Sequence, residues 1–84
     1  MKKKVVVYTW KTCIFCIRVK RLLKNKGVEF EEIDIGDDVR KLGQLEIETG
    51  SGTVPQIFVD DKYIGGCDDI VNLHRRDKFD VVFK

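Results

Sequence analysis

Apolar residues fall along this chain in two rhythms. Val5-Val6-Val7-Tyr8-Thr9 is β-branched or aromatic throughout, the composition of a strand. Its lack of alternation predicts burial on both faces, as in a central strand. Trp10-Lys11-Thr12 makes a turn. From about Cys13 to Lys26 the period becomes that of a helix. Phe15, Val19, Leu22 and Leu23 share one face, while Arg18, Lys20, Arg21 and Lys24 take the wet side. Thr12 is placed to cap the start and Gly27 to end the last turn. Phe30 to Ile35 alternates apolar with acidic residues and reads as a second, less buried strand. Strand, helix and strand with short turns form a βαβ unit, so the two strands should be parallel.

Asp37 and Asp38 can cap a second helix from Val39 to Thr49, with Val39, Leu42 and Leu45 inward. Gly43 weakens it by about 1 kcal/mol relative to alanine. After Gly50-Ser51-Gly52, Gln56 to Val59 and Lys62 to Ile64 flank an Asp60-Asp61 turn and read as a hairpin. A last helix starts near Asp68, with Ile70 and Leu73 inward. Its acidic start and its basic end, Arg75-Arg76, suit the helix dipole. The tail from Phe79 to Lys84 is too short for a period to assign it. The order βαβαββα implies an α/β fold, a four-stranded mixed sheet with helices on both faces.

Length limits this pattern to one domain, residues 1–84. A chain this short buries about 60% of the surface its unfolded form exposes, so it must pack efficiently. With 43% hydrophobic and 36% charged residues it has the balance of a globular domain. A net charge of +2 is too small to imply nucleic acid. Lys2-Lys3-Lys4 reads as a solvated end. The apolar run behind it is too short for a signal peptide, and no stretch approaches the roughly 20 apolar residues of a membrane span. A cytoplasmic protein without nucleic-acid or membrane partners is expected.

The chemistry centres on cysteine. There are three, Cys13, Cys16 and Cys67. An odd number argues against a fully paired disulfide scaffold, and a Cys-X-X-Cys pair in a reducing compartment is catalytic or metal-binding more often than structural. The thiolate is the attacking form, and a free cysteine with pKa about 8.5 is mostly protonated at neutrality. Cys13 lies at a helix start, where unpaired N–H groups and the dipole favour an anion, with Lys11 two residues away. Cys16 follows one turn later, beside it but less exposed. Cys13 should therefore attack and Cys16 resolve. Structural zinc needs four ligands. The remaining candidates, Cys67 and His74, do not form a second pair of the usual spacing. A purely structural disulfide would close too small a loop to stabilise much.

Three segments now stand in order: Tyr8-Thr9 leading into Cys13-Ile14-Phe15-Cys16, then Thr53-Val54-Pro55-Gln56-Ile57-Phe58-Val59, then Gly65-Gly66-Cys67-Asp68-Asp69. Together they resemble the glutaredoxin family, in particular its short bacterial dithiol type, over almost the whole chain. The resemblance implies a thioredoxin-like fold. It also implies reduction of protein disulfides and protein–glutathione mixed disulfides. Glutathione would be the reducing co-substrate, with no metal or organic prosthetic group. The implied partners are glutathione and disulfide-containing or glutathionylated proteins, met by a monomer. Pro55 matches a cis-proline facing the active cysteine. Val54 matches the residue whose backbone pairs with the cysteinyl part of glutathione. Gly66, Cys67, Asp68 and Asp69 match the segment holding the γ-glutamyl end, with Cys67 contributing backbone rather than a third catalytic thiol. Phe15 and Thr53 complete that set, and Lys11 is assigned the glycine carboxylate.

Two departures stand out. Ile14-Phe15 replaces the usual Pro-Tyr, and Trp10 occupies the position of a common basic residue, with Lys11 one later. Two other readings stay open at this stage. One is an electron donor reduced by a flavoprotein. The other is an iron–sulfur carrier, with Cys13 of two chains and two glutathiones holding a [2Fe–2S] cluster.

Overall fold

Val5, Val6 and Val7 are all buried in the computed structural model, which describes residues 3–84. They form the first three residues of β1 (Val5–Thr9), and the rest of the molecule is arranged around that strand. Then come α1 (Ile14–Asn25), β2 (Glu31–Asp34), α2 (Val39–Thr49), β3 (Gln56–Val59), β4 (Lys62–Gly65), α3 (Cys67–Arg75) and α4 (Phe79–Phe83). The sheet order is β2-β1-β3-β4. β1 runs parallel to β2, with Tyr8 opposite Ile33, and antiparallel to β3, with Val7 opposite Ile57. β3 and β4 form the expected hairpin. Its turn residues, Asp60 and Asp61, have φ of 49° and 68°, the left-handed conformation that two-residue hairpin turns require.

The strand period of two divides the core between the faces. Val5, Val7, Ile57 and Val59 pack with Val19 and Leu23 of α1, Cys67 and Ile70 of α3, and Phe79 and Phe83 of α4. On the other face Tyr8, Ile33 and Phe58 meet Leu42 and Leu45 of α2, with Cys16, Ile35 and Val54. No helix among the described residues is long and apolar enough to cross a membrane.

Several expectations are corrected. The buried line of α1 is Cys16, Val19 and Leu23, with Leu22 half-buried, while Phe15 is 53% exposed. Periodicity admitted either line, because positions 15 and 16 both sit three or four residues from Val19. Val39 is 78% exposed, since it opens α2 at the rim where no element covers it. The cap of α1 is Cys13 rather than Thr12, and α3 opens at Cys67 behind Gly66. The tail is a further helix, α4, so the order becomes βαβαββαα. Lys3 is not simply solvated, because its ammonium donates to the Val81 and Val82 carbonyls at 3.0 and 3.1 Å and closes the end of α4. Lys2 lies outside the described residues.

Candidate functional site

β1 ends at Thr9, and the chain turns through Trp10, Lys11 and Thr12 before α1 begins. That turn delivers Cys13 to the helix N-cap in extended conformation, with φ −130° and ψ 106°. Cys13 Sγ accepts a hydrogen bond from the Cys16 N–H at 3.2 Å. A capping position normally holds an oxygen acceptor. A sulfur there receives an otherwise orphan N–H, and a thiolate fills that acceptor role better than a thiol does. The Cα atoms of Cys13 and Cys16 are 5.2 Å apart, with the sulfurs within disulfide-bonding reach. Cys13 is half-buried, whereas Cys16 is 1% exposed and packed on Ile35, Leu45 and Val54. One sulfur thus meets the surface and the other waits beneath it.

Across from Cys13 lies the start of β3. Cys13 Sγ stands 3.9 Å from the Val54 carbonyl oxygen, and the Val54–Pro55 peptide is cis. This segment is held from below by Gln56, which is fully buried. Its amide nitrogen donates to the Ser51 and Thr53 carbonyls at 2.6 and 3.0 Å, and its oxygen lies 3.2 Å from the Thr49 hydroxyl. A buried amide with all its groups partnered fixes the loop between α2 and β3.

The third segment closes the site. Gly65 has φ 144°, and a Cβ there would stand 2.6 Å from the Asp69 Cβ. With glycine in place, Asp69 folds back to accept the Gly66 N–H at 2.9 Å and caps α3. Gly66 also lies close under the Pro55 carbonyl, where a Cβ would sit 3.3 Å from that oxygen. Small residues therefore let α3 begin against the cis-proline segment.

These elements enclose a cleft of about 250 Å³ beside Cys13. Phe15, Thr53, Val54, Pro55, Gly66, Cys67, Asp68 and Asp69 all line it. Lys11 does not. It lines a separate cavity of about 500 Å³ with Trp10, Thr12, Asp37, Asp38, Val39 and Leu42. Ser51 and Tyr63 also line the first cleft and were missed from the sequence. Tyr63 could have been found as the aromatic residue of β4 paired with Phe58, whereas nothing local distinguishes Ser51. The Cys67 thiol is buried, and burial, with the nearby Asp68 carboxylate, pushes its pKa up. It stays a thiol, the unreactive form. Among the described residues, no group of three or more His, Cys, Asp or Glu side chains converges as a metal site.

A four-stranded mixed sheet with a half-buried cysteine at the first helix N-cap, a second cysteine one turn on and a cis-proline opposite defines the thioredoxin-like thiol–disulfide oxidoreductase class. Residues 5–64 match the family model described as Glutaredoxin. A probable glutaredoxin of Synechocystis is 49% identical over 78 residues, covering 92% of this chain and 89% of the relative. Glutaredoxin 3 of Escherichia coli K12 is 44% identical over 80 residues, covering 95% and 96%. The crystal structure of a buckwheat glutaredoxin–glutathione complex superposes with a TM-score of 0.88 at 32% identity, covering 96% of this chain and 76% of that one. The chain belongs to the glutaredoxin family, a family of oxidoreductases.

Proposed function

We propose that this protein reduces protein–glutathione mixed disulfides and protein disulfides with glutathione, with Cys13 as nucleophile and Cys16 as resolving thiol. The observation that carries this reading is the single cleft beside Cys13, to which three distant sequence segments contribute. The glutathione complex of the buckwheat relative supports the choice of ligand.

In deglutathionylation the Cys13 thiolate attacks the glutathione sulfur of the mixed disulfide. The Cys13–glutathione disulfide bond forms, the sulfur–sulfur bond between glutathione and the substrate protein breaks, and the protein thiolate leaves and takes a proton. A second glutathione thiolate then attacks the glutathione sulfur on Cys13. It leaves as glutathione disulfide and restores the Cys13 thiolate. With a protein disulfide, Cys13 first forms a bond to one substrate sulfur and releases the other. Cys16 then attacks Cys13 Sγ, frees the substrate as a dithiol and closes Cys13–Cys16, which two glutathiones reopen.

In this reading Val54 offers its backbone to the cysteinyl part of glutathione as a short strand pair. Thr53 and Pro55 flank it, and Phe15 covers it. Gly66 and Cys67 contribute backbone at the start of α3, where N–H groups attract the γ-glutamyl carboxylate, and Asp68 or Asp69 meets its ammonium. Lys11, which lines the neighbouring cavity rather than the cleft, takes the glycine carboxylate. The chain acts as a monomer, one domain over residues 1–84, in the cytoplasm. The deciding assay follows glutathione-dependent reduction of a glutathionylated protein, coupled to glutathione reductase. Turnover is expected, and its absence sinks the reading.

A further inference from the structure

Charge is segregated along the first half of the chain. Lys11, Arg18, Lys20, Arg21, Lys24 and Lys26 stand between Trp10 and Val28 with no Asp or Glu among them. Glu29, Glu31, Glu32, Asp34, Asp37 and Asp38 follow with no Lys or Arg. The helix places part of the basic set in one line. Ile14, Ile17, Arg18, Arg21 and Lys24 recur at three- and four-residue spacing and are all exposed, so they share a face that starts at Cys13. Ile14 is 70% and Ile17 48% exposed, an unusual setting for two isoleucines in succession on one face. Beyond them a groove of about 310 Å³ is lined by Ile17, Lys20, Arg21, Lys24 and Asn25. Lys20 is held by Glu32 at 3.0 Å. Arg18, Arg21 and Lys24 form no ion pair among the described residues. Arg18 lies over the Phe15 ring at 5.7 Å, which leaves Arg21 and Lys24 as cations without an ion pair behind an apolar step, next to a sulfur that must meet another polypeptide, the form of a binding surface.

Building on the function proposed above, we infer that this face of α1 docks an acidic segment of the protein substrate, one that is apolar near its reacting cysteine. Arg21 and Lys24 lie about 12–17 Å along the helix from Cys13. An extended chain covers that in about four or five residues. The opposite rim carries Asp37 and Asp38 in the cavity with Lys11, so an acidic segment is repelled there and is directed onto α1.

The test uses peptides with one cysteine held as a glutathione mixed disulfide. They carry Asp-Asp, Gln-Gln or Lys-Lys at the fourth and fifth positions on both sides, and glutathionylated cysteine serves as the small substrate. At low salt the wild-type kcat/KM should rank Asp-Asp above Lys-Lys by about tenfold, and the gap should close by about 0.5 M salt. Arg21→Glu/Lys24→Glu should invert the ranking and Arg21→Gln/Lys24→Gln should abolish it. Both should leave glutathionylated cysteine unchanged, and the neutral pair keeps the test valid if charge reversal prevents folding. Equal rates for all peptides, or a ranking indifferent to both variants, overturn the docking surface while the glutathione chemistry stands. No turnover even of glutathionylated cysteine defeats the functional reading instead. A wild-type dimer in gel filtration that the variants dissociate overturns the proposal by giving the face to the acidic segment of a second copy.

Discussion

Cys13 works through its position at the end of a helix. Its sulfur is the N-cap acceptor of α1, while Cys16 is sealed against Ile35, Leu45 and Val54. Cys13→Ser should therefore abolish every activity. Cys16→Ser should keep glutathione-dependent deglutathionylation and lose reduction of protein disulfides, as read in parallel assays with a glutathionylated protein and with a protein disulfide. Equal loss in both variants with glutathionylated substrate would overturn the assigned roles. Gln56 is the residue-scale support of the opposite wall. Gln56→Leu leaves the Ser51 and Thr53 carbonyls without their donors, and unsatisfied buried groups cost about 1–3 kcal/mol. Urea unfolding should show that loss. Steady-state kinetics should show a KM for glutathionylated substrate raised several-fold, with kcat less affected, because the loop that moves holds substrate rather than sulfur. Phe15 is legible at this scale only in part. Helical spacing put it in the core, whereas resemblance put it at the site, and in the structure it is exposed and lines the cleft beside Cys13. Spacing names a face, but it does not say whether a helix end is covered.

At the scale of elements, the start of α2 and the glycine that ends α1 were legible, whereas the caps that open α1 and α3 were not. Asp38 caps α2 by accepting the Lys41 N–H at 3.0 Å. Asp38→Ala should lower stability by about 1 kcal/mol in chemical denaturation. The edge strand β2 is tied to β1 by more than its ladder. The Thr9 hydroxyl donates to Glu32 at 2.7 Å, and Lys20 meets the same oxygen at 3.0 Å. These two hydrogen bonds, Thr9 first, hold the Glu32 carboxyl below its ordinary pKa. A carboxylate lowered in the folded state contributes stability above its unfolded pKa of about 4.3, and that stability is lost as pH falls through the folded value. Thr9→Val should therefore cost about 1 kcal/mol at neutral pH, kept modest by the exposure of Glu32. Below pH 4 the difference from wild type should shrink, which melting curves across pH would reveal. Thr9 was readable as a strand residue. Its hydrogen bond was not, because the register of β1 against β2 lies outside local pattern.

For the whole molecule, the two core layers are not equally legible. The sheet and the central inward positions Val19 and Leu23 of α1, Leu45 of α2 and Ile70 of α3 follow from periodicity. The cover supplied by α4 does not, since five residues show no period. Phe79 and Phe83 stack at 4.5 Å in the layer that also holds Val5, Val19 and Ile70, and Lys26 sits 5.4 Å from the Phe79 ring. Phe79→Ala should destabilise the fold by about 3–5 kcal/mol, and Phe79→Leu by much less. Thermal melts of the two variants check this. A domain of this size has a stability of only about 5–15 kcal/mol, so the tail is a structural part of the molecule and not an appendage.

The amino-acid sequence by itself determined the four strands and the first three helices, the parallel βαβ start, the hairpin and the identity of the cysteine pair. Each of these is written in neighbours a few residues apart, through hydrogen-bonding preference, side-chain period and caps. Tertiary structure alone decided that Phe15, Val54 and Asp68 share one cleft while Lys11 lines another. It also decided that Cys13 rather than Thr12 caps α1, and that Phe79 closes the core. Those outcomes depend on how strand register and helix docking set distances between residues far apart in the chain, which no local pattern encodes.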